Sequence, residues 1–331
     1  MFRFLLKLLV VVILVAAALL AYGLLLPTGP SSQQFVQLKP GSSARHIAAD
    51  LAQAGIIRSE YAFLLWHYLR GHKPLKAGEY AFDHPASGRE VYDRIARGDI
   101  YFRAVVIPEG FNIFDIASAI EAAGLGTHEQ FLEAAQKQIS LVHDIDPQAP
   151  SLEGYLFPDT YHFTRTQSMH DIAAAMVHRF RQAAHEIGLN QDVHRMVTMA
   201  SIVEKETGAP EERPMVASVF YNRLQRNWEL KTDPSVIYAA LLNHRYRGTI
   251  YQSDLQFASP YNTYKIAGLP PGPICNPGKA SLQAAMHPAQ TDYLFFVAAG
   301  NNQGHHRFAR TEQEHAVNVA AYRRAVAAQA Q

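Results

Sequence analysis

Polarity along this chain changes in stages. Leu8 to Leu26 reads LLVVVILVAAALLAYGLLL, an apolar run without a charge. At 1.5 Å per helical residue, its about 19 residues reach roughly 28 Å, close to the hydrocarbon thickness of a bilayer. Arg3 and Lys7 precede the run, and the next cation is Lys39. The positive-inside rule then puts the N-terminus in the cytoplasm and everything after Pro27 outside. A cleaved signal has an apolar core of only about 7–15 residues. The length here favours an uncleaved anchor, although Ala16-Ala17-Ala18 keeps cleavage open. No cysteine directly follows the run, which excludes a lipoprotein anchor. Pro27 to Gln34 is a linker by composition. Eight extended residues reach at most roughly 27 Å, so the chain beyond Gln34 starts near the membrane face.

Beyond the linker the pattern breaks into short pieces. Phe35–Leu38 reads as a strand, Pro40-Gly41 as a turn, and Ser43 as the cap of a helix that stops at Gly55. The same order returns about 69 residues later: a strand at Val105–Ile107, a turn at Glu109-Gly110, a cap at Asn112 and a stop at Gly124. Gly41, Ile47, Ala48, Ala54 and Gly55 match Gly110, Ile116, Ala117, Ala123 and Gly124 at that offset, which reads as one unit used twice. Between the copies lie a helix Glu60–Leu69, a strand Glu79–Phe82 and a helix Arg89–Arg97. Residues 35–103 loosely resemble the LysM-like modules that hold glycan strands, with a plain packing domain as the alternative. Residues 104–150 carry the second copy and a linker rich in Pro and Asp.

From Ser151 the chain predicts helices His170–Ile187 and Val193–Glu206, then a third that opens at Glu211-Glu212 and carries Met215, Val216, Val219, Phe220 and Leu224 on one face. Thr232-Asp233-Pro234 reads as a helix start before Ser235–Leu242, with Asp233 either a cap or a cleft residue. Loops rich in Tyr, Asn, Pro and Gly surround it. A strand Tyr293–Ala298 and a helix from Glu312 finish the chain. The expected class is α+β: a transmembrane helix in residues 1–27, a linker at 28–34, LysM-like α/β pieces, and a catalytic domain over 151–331 with a glutamate borne on a helix.

Composition narrows the chemistry. With 30 Lys and Arg against 29 Asp and Glu, the net charge of +1 argues against an electrostatic nucleic-acid binder. One cysteine, Cys275, excludes intrachain disulfides and thiolate clusters, and no chemistry is assigned to it. The 16 histidines form no close metal-binding motif, and His305 and His306 read as surface residues. No metal or cofactor is expected.

The segment Val197–Thr207 carries the sharpest signal. At about 100° per residue, Glu206 falls within roughly 60° of Met199, Ile202 and Val203, on the apolar face. Glu204 points about 160° away and reads as an ordinary solvated acid. Glu206 also sits in the last helical turn, where the macrodipole is negative. Burial and dipole both raise a carboxyl pKa, the condition for protonating a leaving oxygen near neutral pH. The competing reading is a helix-end acid that swings to water or pairs with Arg195 or Lys205.

Ala200-Ser201-Ile202-Val203-Glu204-Lys205-Glu206-Thr207 resembles the signature of the MltG-type (YceG-like) endolytic murein transglycosylases. So do Leu152 to Tyr161 (LEGYLFPDTY), Thr232 to Tyr238 (TDPSVIY), Tyr261 to Tyr264 (YNTY), and Gly268 to Ile274 with Asn276-Pro277-Gly278, in the family's order. The resemblance implies an inner-membrane lyase whose catalytic domain is periplasmic. It would cut peptidoglycan strands internally between N-acetylmuramic acid and N-acetylglucosamine and leave 1,6-anhydro ends. Its catalytic glutamate falls on Glu206. Tyr261, Asn262, Thr263 and Tyr264 are expected to bind substrate, with Asp233 and Thr207 beside them. Peptidoglycan strands and the membrane are the implied partners, and peptidoglycan synthases are candidates. Two alternatives stay open: a hydrolytic muramidase pairing Glu206 with Glu153, Asp159 or Asp233, and a non-catalytic peptidoglycan tether.

The anchor reading predicts a mature N-terminus close to Met1. Intact-mass analysis of the purified protein checks it, and a soluble form beginning near Tyr22 or later would mean a cleaved signal.

Overall fold

A computed structural model describes residues 2–300 and 304–329. The chain forms two compact units. One comprises the residues up to Ala104 together with His162–Gln167, and the other comprises Val105–Tyr161 with Ser168 onward.

The first unit opens with α1 (Phe2–Leu25), whose apolar side chains are largely exposed and which is long and apolar enough to cross a membrane. Next come β1 (Gln34–Leu38), α2 (Ala44–Gln53), α3 (Glu60–Leu69), β2 (Gly78–Phe82) and α4 (Gly88–Arg97). The strands pair antiparallel with Val36 opposite Tyr80. Strand alternation turns Val36 and Leu38 inward, where they meet Ile47 and Leu51 of α2, Phe63 of α3, and Tyr92 and Ile95 of α4. Phe63 meets Tyr92 edge to face with ring centroids 5.5 Å apart. Ser43, Ser59 and Ser87 cap the three helices through their hydroxyls. Glu79 is buried but ion-paired, 3.1 Å from Arg103 and 3.3 Å from Arg165.

The repeat read from the sequence has a larger counterpart in the structure. β3 (Arg103–Val106), α5 (Ile113–Ala122), α6 (His128–Lys137) and β4 (Thr160–Phe163) keep the strand–helix–helix–strand order of β1, α2, α3 and β2, and β3 pairs with β4. Ser43 caps α2 and Asn112 caps α5, 69 residues on. The turn before each cap needs a glycine, because Gly41 and Gly110 both hold φ at +78°. Sequence reading missed α6 and β4 and so recovered only half of the second copy. The second copy's helices belong to the same compact unit as everything after Ser168.

The second unit continues with α7 (Met169–Ile187), α8 (Val193–Glu206), α9 (Arg213–Gln225), α10 (Asp233–Leu242), the single turn α11 (Gln252–Leu255), α12 (Lys279–Met286), the antiparallel pair β5 (Phe295–Ala298) and β6 (His306–Ala309), and α13 (Glu312–Gln329). Every residue of α8 from Val197 to Val203 is buried, and α8 packs against α9, α10 and α12. Helix α8 is therefore the core element of the unit.

Asn112 accepts from the amides of Phe114 and Asp115, while Asp115 returns a bond to the Asn112 amide. Asn112→Ala is expected to lower the stability of this unit by about 1 kcal/mol. Urea unfolding followed by circular dichroism checks this, and an unchanged midpoint would deny the cap any role.

Candidate active site

Glu206 is the last residue of α8. It keeps some surface open to solvent while protein surrounds it densely. Among the described residues its carboxyl makes no hydrogen bond or ion pair. Burial, reinforced by the negative charge of Asp233, pushes its pKa from 4.5 up to about 7, while the Arg223 cation pulls the other way. The position at the carbonyl end of α8 acts in the same direction as burial. Neither pairing considered from the sequence forms: Lys205 donates to the Gly110 carbonyl at 3.2 Å, and Arg195 lies over the Tyr221 ring.

Three neighbours shape this acid. Asp233 is the first residue of α10, and the cap is Thr232, whose hydroxyl accepts from the Ser235 amide. The Asp233 carboxylate is thus not spent on the cap and accepts the Tyr264 hydroxyl at 2.7 Å. Burial raises the Tyr264 pKa, and the hydrogen bond to Asp233 adds to the shift. Arg223 comes from α9 and is held by the Leu294 carbonyl at 2.7 Å and the Leu230 carbonyl at 2.6 Å. Burial lowers its pKa, and the charge of Glu206 acts against that. Arg223 escaped the sequence reading. Its signal was there, since it continues the spacing of Val216, Val219 and Phe220 as a cation on a mostly apolar stripe.

The other expected substrate residues are placed differently. Tyr261 is half-buried and its ring lies 5.1 Å from that of Tyr238. Asn262 is fully buried; its amide donates to the carbonyls of Asp254, Leu255 and Phe257, and its oxygen accepts from the Tyr264 amide. Thr263 is fully buried against the Thr232 amide and the Ser235 hydroxyl. The Thr207 hydroxyl accepts from the Ala209 amide at 3.1 Å. These three side chains spend their polar groups on shaping the loops that carry Tyr264, Asp233 and the end of α8.

Glu204 corrects the helix-wheel expectation. It is not a solvated acid: its buried carboxylate takes Arg213 at 2.9 Å and the Gly278 amide at 2.9 Å. Glu109 approaches the same Arg213 at 3.6 Å. Polar loops cover the face of α8 that amphipathicity assigned to water. His306 is likewise not a plain surface residue, since its ring and amide both bind the buried Glu212 carboxylate.

Of the three acids considered as partners for Glu206, only Asp233 exerts a charge effect on it. Asp159 is tied to Arg179 at 2.7 Å. Glu153 is enclosed, accepting from the Ile113 amide at 3.0 Å and the Asn276 side-chain amide at 2.9 Å. Burial pushes its pKa up to about 8, against those hydrogen bonds. Asn276 also accepts from the Gly154 and Leu156 amides and donates to the Phe111 carbonyl. Ser201 of α8 receives the Ile274 amide, and its carbonyl receives the Cys275 thiol. Cys275 is buried, which pushes its thiol pKa up.

The model of the YceG-like family matches residues 36–321. The chain is 34% identical over 301 residues to the endolytic murein transglycosylase of Bacillus subtilis, covering 85% of this chain and 82% of that protein. It is 28% identical over 337 residues to the protein of the same name from Streptococcus pneumoniae, covering 89% of this chain and 60% of that longer relative. The crystal structure of a yceG-like protein from Listeria monocytogenes superposes with a TM-score of 0.56 at 32% identity, over 87% of this chain and 99% of that one.

The Glu204 geometry yields its own test. Glu204→Gln keeps an acceptor for Gly278 but removes the closer charge partner of the buried Arg213, leaving it Glu109 at 3.6 Å, so a loss of roughly 2 kcal/mol is expected. Thermal or urea unfolding measures it, and stability equal to the wild type would restore the solvated reading.

Proposed function

Since this chain belongs to the YceG-like family, we propose that it is an endolytic murein transglycosylase, a lyase that cuts peptidoglycan strands internally. The observation that carries this reading is Glu206: an acid with a pKa near neutrality, at the open end of a buried helix, with no intramolecular partner for its proton among the described residues. Such a group is free to give its proton to a glycosidic oxygen. As that bond breaks, positive charge develops at the anomeric carbon of the N-acetylmuramic acid. The substrate's own 2-acetamido oxygen compensates it. Glu206, now a carboxylate, takes the proton from the 6-hydroxyl of the same sugar as that oxygen closes the 1,6-anhydro ring. No water enters the products. Arg223 steadies the ionised acid, and Tyr264 with Asp233 lines the cleft beside it. Tyr261 remains a substrate contact through its open edge, while Asn262, Thr263 and Thr207 act by holding the loops in shape.

Helix α1 is read as a single-pass anchor of the inner membrane, with everything after Pro27 outside the cytoplasm. The strand–helix–helix–strand order of the first unit supports a LysM-like glycan-holding module. Strands presented near the membrane would be nascent ones, so peptidoglycan synthases are the partners this reading implies.

A hydrolytic reading has one observation behind it, the influence of Asp233 on Glu206. An inverting hydrolase needs such a second carboxylate to activate water. Mass spectrometry of strands digested by the purified protein separates the two, because anhydro ends lack the water that hydrolytic products gain. Products carrying that water would replace the lyase by a muramidase. No cleavage at all would leave a tether.

Glu206→Gln should abolish cleavage, lowering the rate at least a thousandfold, and leave folding intact. Wild-type cleavage should fall as pH rises through about 7, where the acid loses its proton. A raised folded-state pKa also means that the native form holds this proton more tightly than the unfolded chain. That stabilisation is fully present below about pH 4.5 and is lost as pH rises through about 7. The Gln variant should lack this dependence. Superimposable stability-versus-pH curves for the two proteins would show an ordinary carboxyl at 206.

A further inference from the structure

Helix α3 turns an apolar face to solvent. Tyr61, Leu65, Tyr68 and Leu69 are 74%, 43%, 65% and 61% exposed. They stand at positions i, i+4, i+7 and i+8, one continuous stripe. Phe63, on the other side of the helix, is buried in the core of the first unit, and Ala62, at the edge of the stripe, is buried where α3 meets α1. A soluble module gains nothing from four large apolar side chains aligned in water.

The place of α3 on α1 gives the stripe its partner. The two helices meet at Gly23, where an added Cβ would lie 2.9 Å from the Ala62 Cβ and 3.0 Å from the Ser59 Cβ. Gly23 is three residues inside the apolar run that ends at Leu26, roughly 4.5 Å along the axis. Helix α3 therefore crosses α1 at the depth of the apolar segment's last turn, not beyond it. The junction is held firmly. Arg58 donates to the Tyr22 hydroxyl at 3.1 Å and to the Pro27 carbonyl at 3.0 Å, with its guanidinium 4.9 Å from the Tyr22 ring centre. Thr28 pairs with Ala86 through two backbone hydrogen bonds of 3.0 Å. Leu24 is buried against the start of α4.

We propose that α3 is an interfacial helix, its Tyr61–Leu65–Tyr68–Leu69 stripe seated in the headgroup and upper acyl region of the bilayer that α1 crosses. The chemistry of its surroundings fits. Tyr22, Tyr61 and Tyr68 form the aromatic belt that such a depth favours. Arg58, Arg70 and Lys73 surround the helix, where anionic headgroups attract cations, and Glu60 is the only acid on it. The first unit would then be held against the membrane at two places, by a span and by a helix lying along the surface. This rests on reading α1 as an anchor.

Depth-dependent quenching in the full chain tests both readings separately. Single cysteines replace Val12 in the middle of α1, Leu65 or Tyr68 on the stripe, and Lys39 at an exposed turn of the same unit. Cys275 is buried and does not compete for label. Each variant carries an NBD label and is reconstituted into phosphatidylethanolamine–phosphatidylglycerol vesicles with or without brominated acyl chains. The proposal expects bromolipid to remove at least half of the emission at 12, 65 and 68 and to leave 39 unchanged. Quenching at 12 with 65 and 68 as bright as 39 overturns the interfacial helix while the anchor stands. Equal quenching at 39 and on the stripe overturns the assignment to α3. No quenching at 12 removes the anchor and the proposal with it.

Discussion

The second unit is assembled on one buried amide. Asn276 joins the turn before α5, the segment after Ser151 and the loop before α12, using both its carbonyl oxygen and its amide nitrogen. Glu153 completes the joint by accepting from Asn276 and from the first amide of α5. An enclosed carboxylate is costly unless hydrogen-bonded or protonated. The raised pKa of Glu153 reflects that cost, and its donors offset it in part. The same loop reaches α8 through Ser201 and Glu204. The helix that ends in Glu206 is thereby clamped at its last turns, while its final carboxyl makes no hydrogen bond among the described residues. The unit fixes the backbone of the acid and leaves its proton free.

This division explains why two glutamates two residues apart differ so much. Glu204 faces a polar lid made of Arg213 and the Gly278 amide, so its charge is matched. Glu206 has no such matched partner among the described residues: burial raises its pKa most, Asp233 adds to the rise and Arg223 opposes it. The outcome near neutrality reflects that opposition together with burial.

Local signals in the sequence located most of the helices. Ser43 and Asn112 cap where they were expected, Glu60–Leu69 and Val193–Glu206 have the expected ends, and the 69-residue repeat is real in the backbone. The misses have physical causes. Strands β4 and β6 are four residues long, too short for alternation to stand out. Helix wheels see apolar neighbours but not polar lids, so periodicity alone assigns Glu204 to solvent. Asn262 and Thr263 look alike in sequence whether they bond a sugar or a carbonyl; only the fold reveals that the chain itself has claimed them. The raised pKa of Glu206 was legible because its place on the apolar face of the helix follows from the periodicity.

The span of the Asn276 joint also orders the chain in time. Its bonds reach back 123 residues to Glu153 and 165 residues to Phe111. The central pairing of the first unit, by contrast, closes between Val36 and Tyr80. Distant partners close slowly, and domains tend to fold as they emerge. The α1-bearing module can thus gather its core early, while the end of α8 waits for a loop synthesised some 70 residues after it. During biosynthesis the module that bears α1 can form first, and Glu206 gains its surroundings only once that later loop has been made.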